Sequence, residues 1–292
     1  MKIACFGRPF DPAFLDNFRL LIKILEEKVS SFQVYERLYN HIKEHVHFEK
    51  PVKVLPSGSQ PEKDTSCVIS VGGDGTLLDT ITLVRDSGIP VLGINTGRLG
   101  FLSAISTDEI SFAARALISG DYTIDVRSMI QLAQPAELFG NINYALNELT
   151  VLKRDTSTMI SISAYVDDLF LNTYWADGLI IATPTGSTGY SLSCGGPIIS
   201  PESKNLIITP IATHNLTVRP IVIPDSSQVK LRITGKKQDY LVLLDSRSRP
   251  LNTTTELIVN KSPFSMNLIC IGQKDFYKTI RNKLAWGLDK RN

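Results

Sequence analysis

Two hydrophobic periodicities occur along the chain, and the change from one to the other divides it into two parts. Over residues 1–103, short apolar runs such as Lys2–Phe6 and Cys67–Val71 alternate with segments whose apolar residues recur every three or four positions. The short runs are typical of buried strands, and the wider spacing predicts amphipathic helices over Ala13–Val29 and from Thr76 to Asp86. This alternation predicts a parallel sheet with helices on its faces.

Three further segments have helical spacing or composition. Residues 32–46 predict a second helix after Ser30-Ser31, because their apolar side chains fall on one side of a helix. Residues 105–120 predict one more helix, and the tail from Asp275 to Asn292 is helix-like in composition.

The middle of the chain has the period of two that is typical of strands. Met159–Val166 alternates apolar and polar residues, Asp167-Asp168 predicts a hairpin turn, and Leu169–Tyr174 predicts the returning strand. Val229–Thr234 alternates in the same way. These runs predict a second, mostly β domain.

The two patterns define the predicted domain organisation. At 292 residues the chain exceeds the usual size of a single domain. We expect an N-terminal α/β domain with a parallel sheet over residues 1–103 and a β-rich C-terminal domain over 104–274. A C-terminal segment, 275–292, is expected to pack back on the α/β domain.

Composition and charge exclude several classes of protein. With 31 basic and 29 acidic residues the net charge is +2, and the basic residues are scattered, so no nucleic acid or membrane partner is predicted. Arg8 and Asp11 interrupt the N-terminus before a signal-peptide core can form, and no apolar run approaches the roughly 18 residues of a membrane span. We expect a cytoplasmic protein whose separated cysteines, Cys5, Cys67, Cys194 and Cys270, are reduced and mostly buried.

A glycine-rich turn with one acid, GGDGT at 72–76, directly follows the apolar run Cys67–Val71. Glycine lets a ligand approach backbone N–H groups and a helix N-terminus favours anions, so strand, turn and helix together predict a phosphate site. The turn lacks the Lys of a Walker loop and does not match G-x-G-x-x-G. A carboxylate at Asp74 repels phosphates unless it holds a metal or accepts a proton. The alternative is a tight turn in which Asp74 caps the helix.

Further segments accompany this turn in a fixed order: NTGRLGFL at 95–102, Asn147-Glu148, DGLIIATPTGSTGYSLSCGGPI at 177–198 and LTVRPIVIP at 216–224. In this order and with these gaps the segments resemble the NAD kinase family. The block at 177–198 is the most specific of them, because lipid kinases of the diacylglycerol type and phosphofructokinases carry turns related to GGDGT.

The resemblance implies transfer of the γ-phosphoryl group of ATP to the 2′-hydroxyl of the adenosine ribose of NAD. It implies that Asp74 is the general base that takes the proton of this hydroxyl, and that Gly72, Gly73 and Gly75 let phosphates approach the backbone. Such a base contributes about 10²- to 10⁴-fold in rate. No Lys or Arg adjoins the turn, so a divalent cation, Mg²⁺, is expected to neutralise the developing charge.

The resemblance also implies a set of substrate-binding residues. Asn147 and Glu148 would contact ribose hydroxyls, Asp177 would hold the nucleotide, and Tyr190 would stack on a base. Gly189 departs from the alanine that is common in the family, which is expected to loosen the loop. NTGRLGFL would support the phosphate site. The other implied substrate-binding residues are Thr158, Trp175, Thr188, Ser191, Leu192, Ser193 and Ala212.

NAD is expected between the two domains, and the family implies a homodimer or a homotetramer. Two other functions stay open. One is a lipid kinase with the same turn, which needs a long apolar pocket or a membrane-facing patch. The other is a non-catalytic NAD-binding sensor, against which the intact GGDGT argues. His41 and His45 have a spacing that can bind Zn²⁺, but no third ligand has a known placement. A solvated helix face is favoured there, and no protein metal site is predicted.

Overall fold

The computed structural model describes residues 1–97, 100–103, 105–154, 159–234, 239–252, 255–272 and 275–286. The chain divides into two compact units. The first unit contains Met1–Val126 and Asn267–Asn292, and the second contains Arg127–Met266.

The elements are numbered in chain order. The strands are β1 (Lys2–Gly7), β2 (Ser31–Tyr35), β3 (Val52–Leu55), β4 (Cys67–Val71), β5 (Val91–Ile94), β6 (Thr123–Arg127), β7 (Ile130–Gln134), β8 (Tyr144–Ala145), β9 (Glu148–Lys153), β10 (Ile160–Val166), β11 (Leu169–Ala176), β12 (Gly178–Ala182), β13 (Asn205–Ile211), β14 (Ile221–Pro224), β15 (Val229–Thr234), β16 (Asp239–Leu244), β17 (Arg247–Asn252), β18 (Leu257–Lys261) and β19 (Met266–Cys270). The helices are α1 (Leu15–Leu25), α2 (Glu36–Ile42), α3 (Asp74–Val84), α4 (Ile110–Ser119), α5 (Tyr190–Ser193) and α6 (Phe276–Leu284).

The first unit is an α/β fold around a seven-stranded sheet in the order β3-β2-β1-β4-β5-β19-β6. The strand pairs from β3 across to β19 are parallel. Every residue of β4 and β5 is buried, which explains why both strands appear in the sequence as continuous apolar runs. The predicted parallel sheet with helices is confirmed.

The helix predicted over residues 32–46 is wrong at its start. Residues from Phe32 to Tyr35 form strand β2, and only Glu36–Ile42 is helical. Because β2 lies between β1 and β3 and is buried on both faces, its residues show no period of two. Phe32 and Tyr35 therefore continue the helical spacing of α2 by coincidence.

The first unit extends beyond residue 103, where the sequence placed a domain boundary. Helix α4 packs against α1 and buries Ala113, Ala114 and Leu117 in the same core. Strand β19 lies between β5 and β6 in the sheet. By compactness the boundaries lie after Val126 and after Met266.

The second unit is built from two six-stranded sheets, in the orders β11-β10-β15-β18-β7-β8 and β14-β13-β12-β9-β16-β17. Their pairs are antiparallel, and Ile162, Leu179 and Tyr240 lie in the core of the unit. Asp167 and Asp168 have φ angles of 50° and 65°, as a two-residue hairpin turn requires. The predicted β-rich domain and this hairpin are confirmed.

The state of the cysteines and the length of the helices test two predictions from composition: buried, reduced thiols and the lack of a membrane span. None of the four cysteines forms a disulfide with another described residue; Cys5 and Cys67 are buried, whereas Cys194 and Cys270 are half-buried. Burial raises the pKa of the Cys67 thiol to about 12. Among the described residues, no helix has the length and apolar character needed to cross a membrane.

Candidate functional site

The glycine-acid turn connects the end of β4 to the start of α3. Gly72 has a φ of 146°, and a Cβ atom there would lie 2.3 Å from Oγ1 of Thr76, so only glycine fits. At Gly73 and Gly75 an added Cβ would meet no atom of the described residues within 4 Å, apart from the adjacent residues and the backbone of the same helix. The turn therefore has open space beside two of its glycines, at the start of a helix, where phosphate groups are favoured.

Asp74 is the first residue of α3, and its carboxylate binds a distant loop instead of capping the helix. Gly73 is the N-cap residue and makes no side-chain cap bond. Oδ2 of Asp74 accepts a hydrogen bond from the N–H of Phe101 (2.7 Å), and Oδ1 accepts from those of Leu102 (3.0 Å) and Ser103 (2.9 Å). The interpretation of Asp74 as a capping residue is therefore wrong. A carboxylate has about four lone-pair positions, so one position on Oδ2 stays free of bonds to the described residues.

The segment NTGRLGFL supplies part of this arrangement. A Cβ on Gly100 would lie 1.8 Å from Oδ1 of Asp74, so the glycine allows the carboxylate to reach the three amides. Oδ1 of Asn95 accepts a hydrogen bond from the N–H of Gly97 (2.7 Å), and the next two residues lie outside the described part of the chain. The supporting role predicted for this segment thus has a structural basis.

In the second unit, the backbone of Leu146, Asn147 and Glu148 is held from two sides. The carboxylate of Asp245 accepts hydrogen bonds from their three N–H groups, at 3.0, 2.8 and 3.2 Å in that order. The N–H of Asp245 donates to the Glu148 carbonyl (3.0 Å). On the other side, the N–H of Thr183 donates to the Asn147 carbonyl (2.8 Å), and its hydroxyl donates to the Leu146 carbonyl (2.5 Å).

The side chains of Asn147 and Glu148 carry buried polar atoms without a partner. Oδ1 of Asn147 and Oε2 of Glu148 make no hydrogen bond to the described residues. Burial, and to a lesser extent the charge of Asp245, raises the pKa of Glu148 to about 8. An unpaired buried polar group costs about 1–3 kcal/mol. These two atoms therefore mark a place where a ligand with hydroxyl groups gains binding energy.

The polar loop after β12 has an inward-facing part. It includes a short 3-10 helix, Gly186–Thr188, followed by α5. Ser187 is buried and donates to the carbonyl of Pro184 (2.6 Å), and the hydroxyls of Ser191 and Thr209 share a buried hydrogen bond of 2.8 Å. The hydroxyl of Ser191, which the sequence assigned to substrate, thus faces the protein interior.

The rest of this loop faces outward. Its half-buried residues are Thr188, Gly189 and Leu192, and its exposed residues are Tyr190 and Ser193. The Tyr190 side chain is the largest of them, and 41% of the residue is exposed. Burial, followed by the charges of Cys194, Asp177 and Glu148, raises the pKa of Tyr190. A Cβ on Gly189 would lie 3.3 Å from Oε2 of Glu148.

Asp177 has a charge partner that the sequence did not suggest. Nζ of Lys153 lies 2.6 Å from Oδ1 of Asp177, and the Lys153 N–H donates to the Asp177 carbonyl (2.9 Å). The pairing of β9 with β12 sets Leu152 opposite Gly178, which brings the next residue, Lys153, to Asp177. Only the strand register could have revealed this pair.

The remaining implied residues lie at the ends of β11 and β13. Trp175 is 53% exposed, and its ring centroid lies 4.6 Å from that of His214 at an interplanar angle of 39°. Ala212 has a φ of 45°, a left-handed conformation that is unusual for alanine. Thr158 lies outside the described residues. Trp175 thus packs on a histidine while most of its own surface stays exposed.

Two family models match most of the chain. The ATP-NAD kinase N-terminal domain matches residues 16–122, which include Asp74 and the three amides that it binds. The ATP-NAD kinase C-terminal domain matches residues 146–271, which include Asn147, Glu148 and Asp245.

Curated relatives and solved structures agree with these matches. The chain is 45% identical to an NAD kinase of Flavobacterium psychrophilum and 43% identical to one of Flavobacterium johnsoniae, over 100% of each chain. Its fold is shared with yeast NADH kinase complexed with NADH (TM-score 0.86, 24% identity, 99% of this chain and 89% of that chain). An NAD kinase from Archaeoglobus fulgidus in complex with ATP also shares it (TM-score 0.72, 23% identity, 98% and 99%). On these full-length identities and on both family matches, the chain belongs to the NAD kinase family.

Proposed function

We propose that the enzyme transfers the γ-phosphoryl group of ATP to the 2′-hydroxyl of the adenosine ribose of NAD with Asp74 as the general base. The observation that carries this role is the carboxylate held by the amides of Phe101, Leu102 and Ser103. These bonds fix the orientation of the acid and leave one lone-pair position on Oδ2, which would accept the proton of the ribose hydroxyl. Holding the base in place lowers the entropic part of the barrier.

The phosphates of ATP would lie on the open side of Gly73 and Gly75, at the start of α3. Among the described residues, no group of three or more His, Cys, Asp or Glu side chains could hold a metal ion. Mg²⁺ in kinases is commonly bound through one or two carboxylates together with substrate phosphates. We therefore propose that Mg²⁺ enters with ATP as part of the substrate, where it neutralises charge on the transferred group.

The second unit supplies the groups that would hold NAD. Oδ1 of Asn147 and Oε2 of Glu148 are unpartnered polar atoms next to each other in the chain, which suits a ribose diol. The exposed ring of Tyr190 offers a flat surface for a base, and base–aromatic stacking is worth about 1–3 kcal/mol. Asp177, oriented by Lys153, would bind nucleotide hydroxyls.

The test is an end-point assay with NAD, ATP and Mg²⁺ in which an NADP-specific dehydrogenase detects the product. Asp74→Asn should keep NAD affinity within a few-fold and lose roughly two orders of magnitude or more in kcat. The matched control is Asp275→Asn in the same unit, because Asp275 also accepts a backbone N–H, that of Lys278, at a helix start (2.9 Å). This control should keep full activity, and chelation of the metal should abolish product in every variant.

Other results would assign different roles. Near-full kcat in Asp74→Asn would restrict Asp74 to holding the loop at 101–103. Absence of product with the unaltered enzyme, despite measurable NAD binding, would favour a sensor.

We also propose that the enzyme is a cytoplasmic homodimer or homotetramer. The edge strands β11 and β14 carry exposed apolar residues, among them Leu169 and Phe170 at 75% and 60% exposure and Ile221 and Val222. Apolar edge strands are typical sites of association between chains. Light scattering coupled to size-exclusion chromatography should give a dimer or tetramer, and a monomer at micromolar concentration would contradict the proposal. Cysteines that form no disulfide with the described residues suit a reducing compartment, and cell fractionation would test the cytoplasmic location.

A further inference from the structure

Asp245 is an acid of the second unit to which no substrate contact or step has been assigned. It lies in the turn between β16 and β17 at a left-handed φ of 52°. Burial raises the pKa of its carboxyl, against the opposing effects of the three amides and of Arg247. Burying a carboxylate costs several kcal/mol unless hydrogen bonds compensate it. The hydrogen bonds from three amides explain why a buried acid is tolerated here. The segment that carries these amides indicates the role of Asp245.

The carboxylate bonds of Asp245 all go to one distant segment. Leu146, Asn147 and Glu148 are 99, 98 and 97 residues away in the chain, and the N–H of Asp245 returns a bond to the Glu148 carbonyl. Thr183 holds the same segment from the other side. The backbone of Asn147 and Glu148 is therefore fixed before any ligand binds, and the atoms that stay unpartnered are side-chain oxygens of these two residues.

We propose that Asp245 is a positioning residue for NAD, which holds Asn147 and Glu148 so that their free oxygens meet substrate hydroxyls. This inference rests on the proposed function of that pair. A site whose donors and acceptors are ordered during folding avoids part of the entropic cost of ordering them on binding. Loss of Asp245 should therefore weaken NAD binding and leave ATP binding and the chemical step nearly unchanged.

Asp245 also acts on Glu148 through its charge. Among the described residues, Asp245, Tyr190 and Cys194 interact electrostatically with Glu148, and the charge of Asp245 helps to raise the pKa of Glu148. Replacing Asp245 by asparagine should lower that pKa and shift the pH dependence of NAD binding downward.

The central variant is Asp245→Asn. Asparagine accepts a left-handed φ and keeps one acceptor oxygen, but it loses the charge and at least one of the amide bonds. We expect KM for NAD to rise about tenfold or more, and kcat and KM for ATP to stay within about threefold. The matched control is Asp167→Asn, because Asp167 has a φ of 50° and accepts the N–H of Gln228 (2.8 Å) away from the site. It should behave like the unaltered enzyme.

Glu148→Gln and Asn147→Ala separate the two proposals. If neither raises KM for NAD, the substrate role of this pair is wrong, and the positioning role of Asp245 is wrong with it. If both variants raise KM for NAD while Asp245→Asn matches Asp167→Asn in KM and in pH profile, the substrate role of Asn147 and Glu148 is supported. Asp245 is then not a positioning residue.

Hydrogen exchange of the unaltered enzyme tests the proposal should Asp245→Asn fail to fold. The amides of residues 146–148 should already be protected without NAD and should change less than about twofold when NAD is added. Fast exchange without NAD, followed by strong protection on NAD binding, would overturn the proposal, because the ligand and not Asp245 would then order the segment.

Discussion

Each compact unit contains a carboxylate that accepts hydrogen bonds from three consecutive backbone amides, but the two clusters differ in what they leave unpaired. In the first unit, Asp74 lies at the start of a helix beside the open side of Gly73 and keeps one acceptor position of its own. At the cluster in the second unit, Oδ1 of Asn147 and Oε2 of Glu148 make no hydrogen bond to the described residues, and Asp245 holds the amides of these two residues.

This difference shows that one hydrogen-bond pattern can serve a site in two ways. At Asp74 the amides orient an acid, and that acid itself can accept a proton. At Asp245 the acid orients the amides, and the residues that carry them offer the binding atoms. Substitutions that remove a charge or add a methyl group at either cluster should therefore have different consequences.

The largest expected effect is the pH dependence of stability at Glu148. The folded enzyme holds a proton on Glu148, with a pKa of about 8, that the unfolded chain releases near the ordinary value of 4.5. The free energy of unfolding should therefore fall as the pH rises from 4.5 to 8, by roughly 5 kcal/mol at most. Glu148→Gln should remove this loss, so its melting temperature should exceed that of the unaltered enzyme at pH 8.5 and match it near pH 5. Exposed Glu202→Gln is the control, and an equal pH slope in both variants would contradict the prediction.

Gly100→Ala tests the geometry of the Asp74 cluster without changing any charge. The new Cβ would lie 1.8 Å from Oδ1 of Asp74, so the carboxylate or the loop at 101–103 must move. Misplacing a catalytic group by about 1 Å can cost on the order of 100-fold, and we expect kcat to fall about 10- to 100-fold. The matched control is Gly97→Ala, where a Cβ meets no atom of the described residues within 4 Å beyond its chain neighbours. Equal kcat in the two variants would show that the position of Asp74 is unimportant.

Tyr190→Ala tests the outward-facing part of the loop after β12, in the second unit. Loss of stacking should raise KM for NAD about tenfold and lower kcat less. Steady-state kinetics with NAD as the varied substrate measures both constants. An unchanged KM would remove Tyr190 from the site.

Gly189→Ala should have the smallest effect. A Cβ at this position lies 3.3 Å from Oε2 of Glu148 and 3.3 Å from the Gly186 carbonyl, which is close but needs only a small adjustment. We expect KM for NAD to change by less than about threefold. A tenfold change would mean that the space between Gly189 and Glu148 is as tightly packed as that between Gly100 and Asp74.

The sequence predicted the Asp74 cluster better than the Asp245 cluster for a physical reason. Three glycines and an acid directly after a buried strand are unusual enough to indicate a ligand site. The segment NTGRLGFL, which carries two of the three amides, could be assigned a supporting role, but its bonds to Asp74 depend on the fold. Asp245 stands in an ordinary hairpin turn, and its partners lie almost 100 residues away, so no local pattern indicates it.

Similar limits explain the differences in the fold. The buried run of β4 was predicted because a strand covered on both faces is mostly apolar along its whole length. Strand β2 is equally covered, but Phe32 and Tyr35 happen to continue the helical spacing of α2. The spacing of apolar residues alone could not distinguish strand β2 from the first turn of a helix.

The use of backbone amides as donors has a consequence for mutational tolerance. Side-chain substitutions at 101, 102, 146 or 147 alter a side chain and leave the N–H donor of that residue in place. Proline is the exception, because it has no N–H group. At these positions the residue types that are tolerated are therefore limited by packing and by ligand contact, and both hydrogen-bond clusters depend on the path of the main chain.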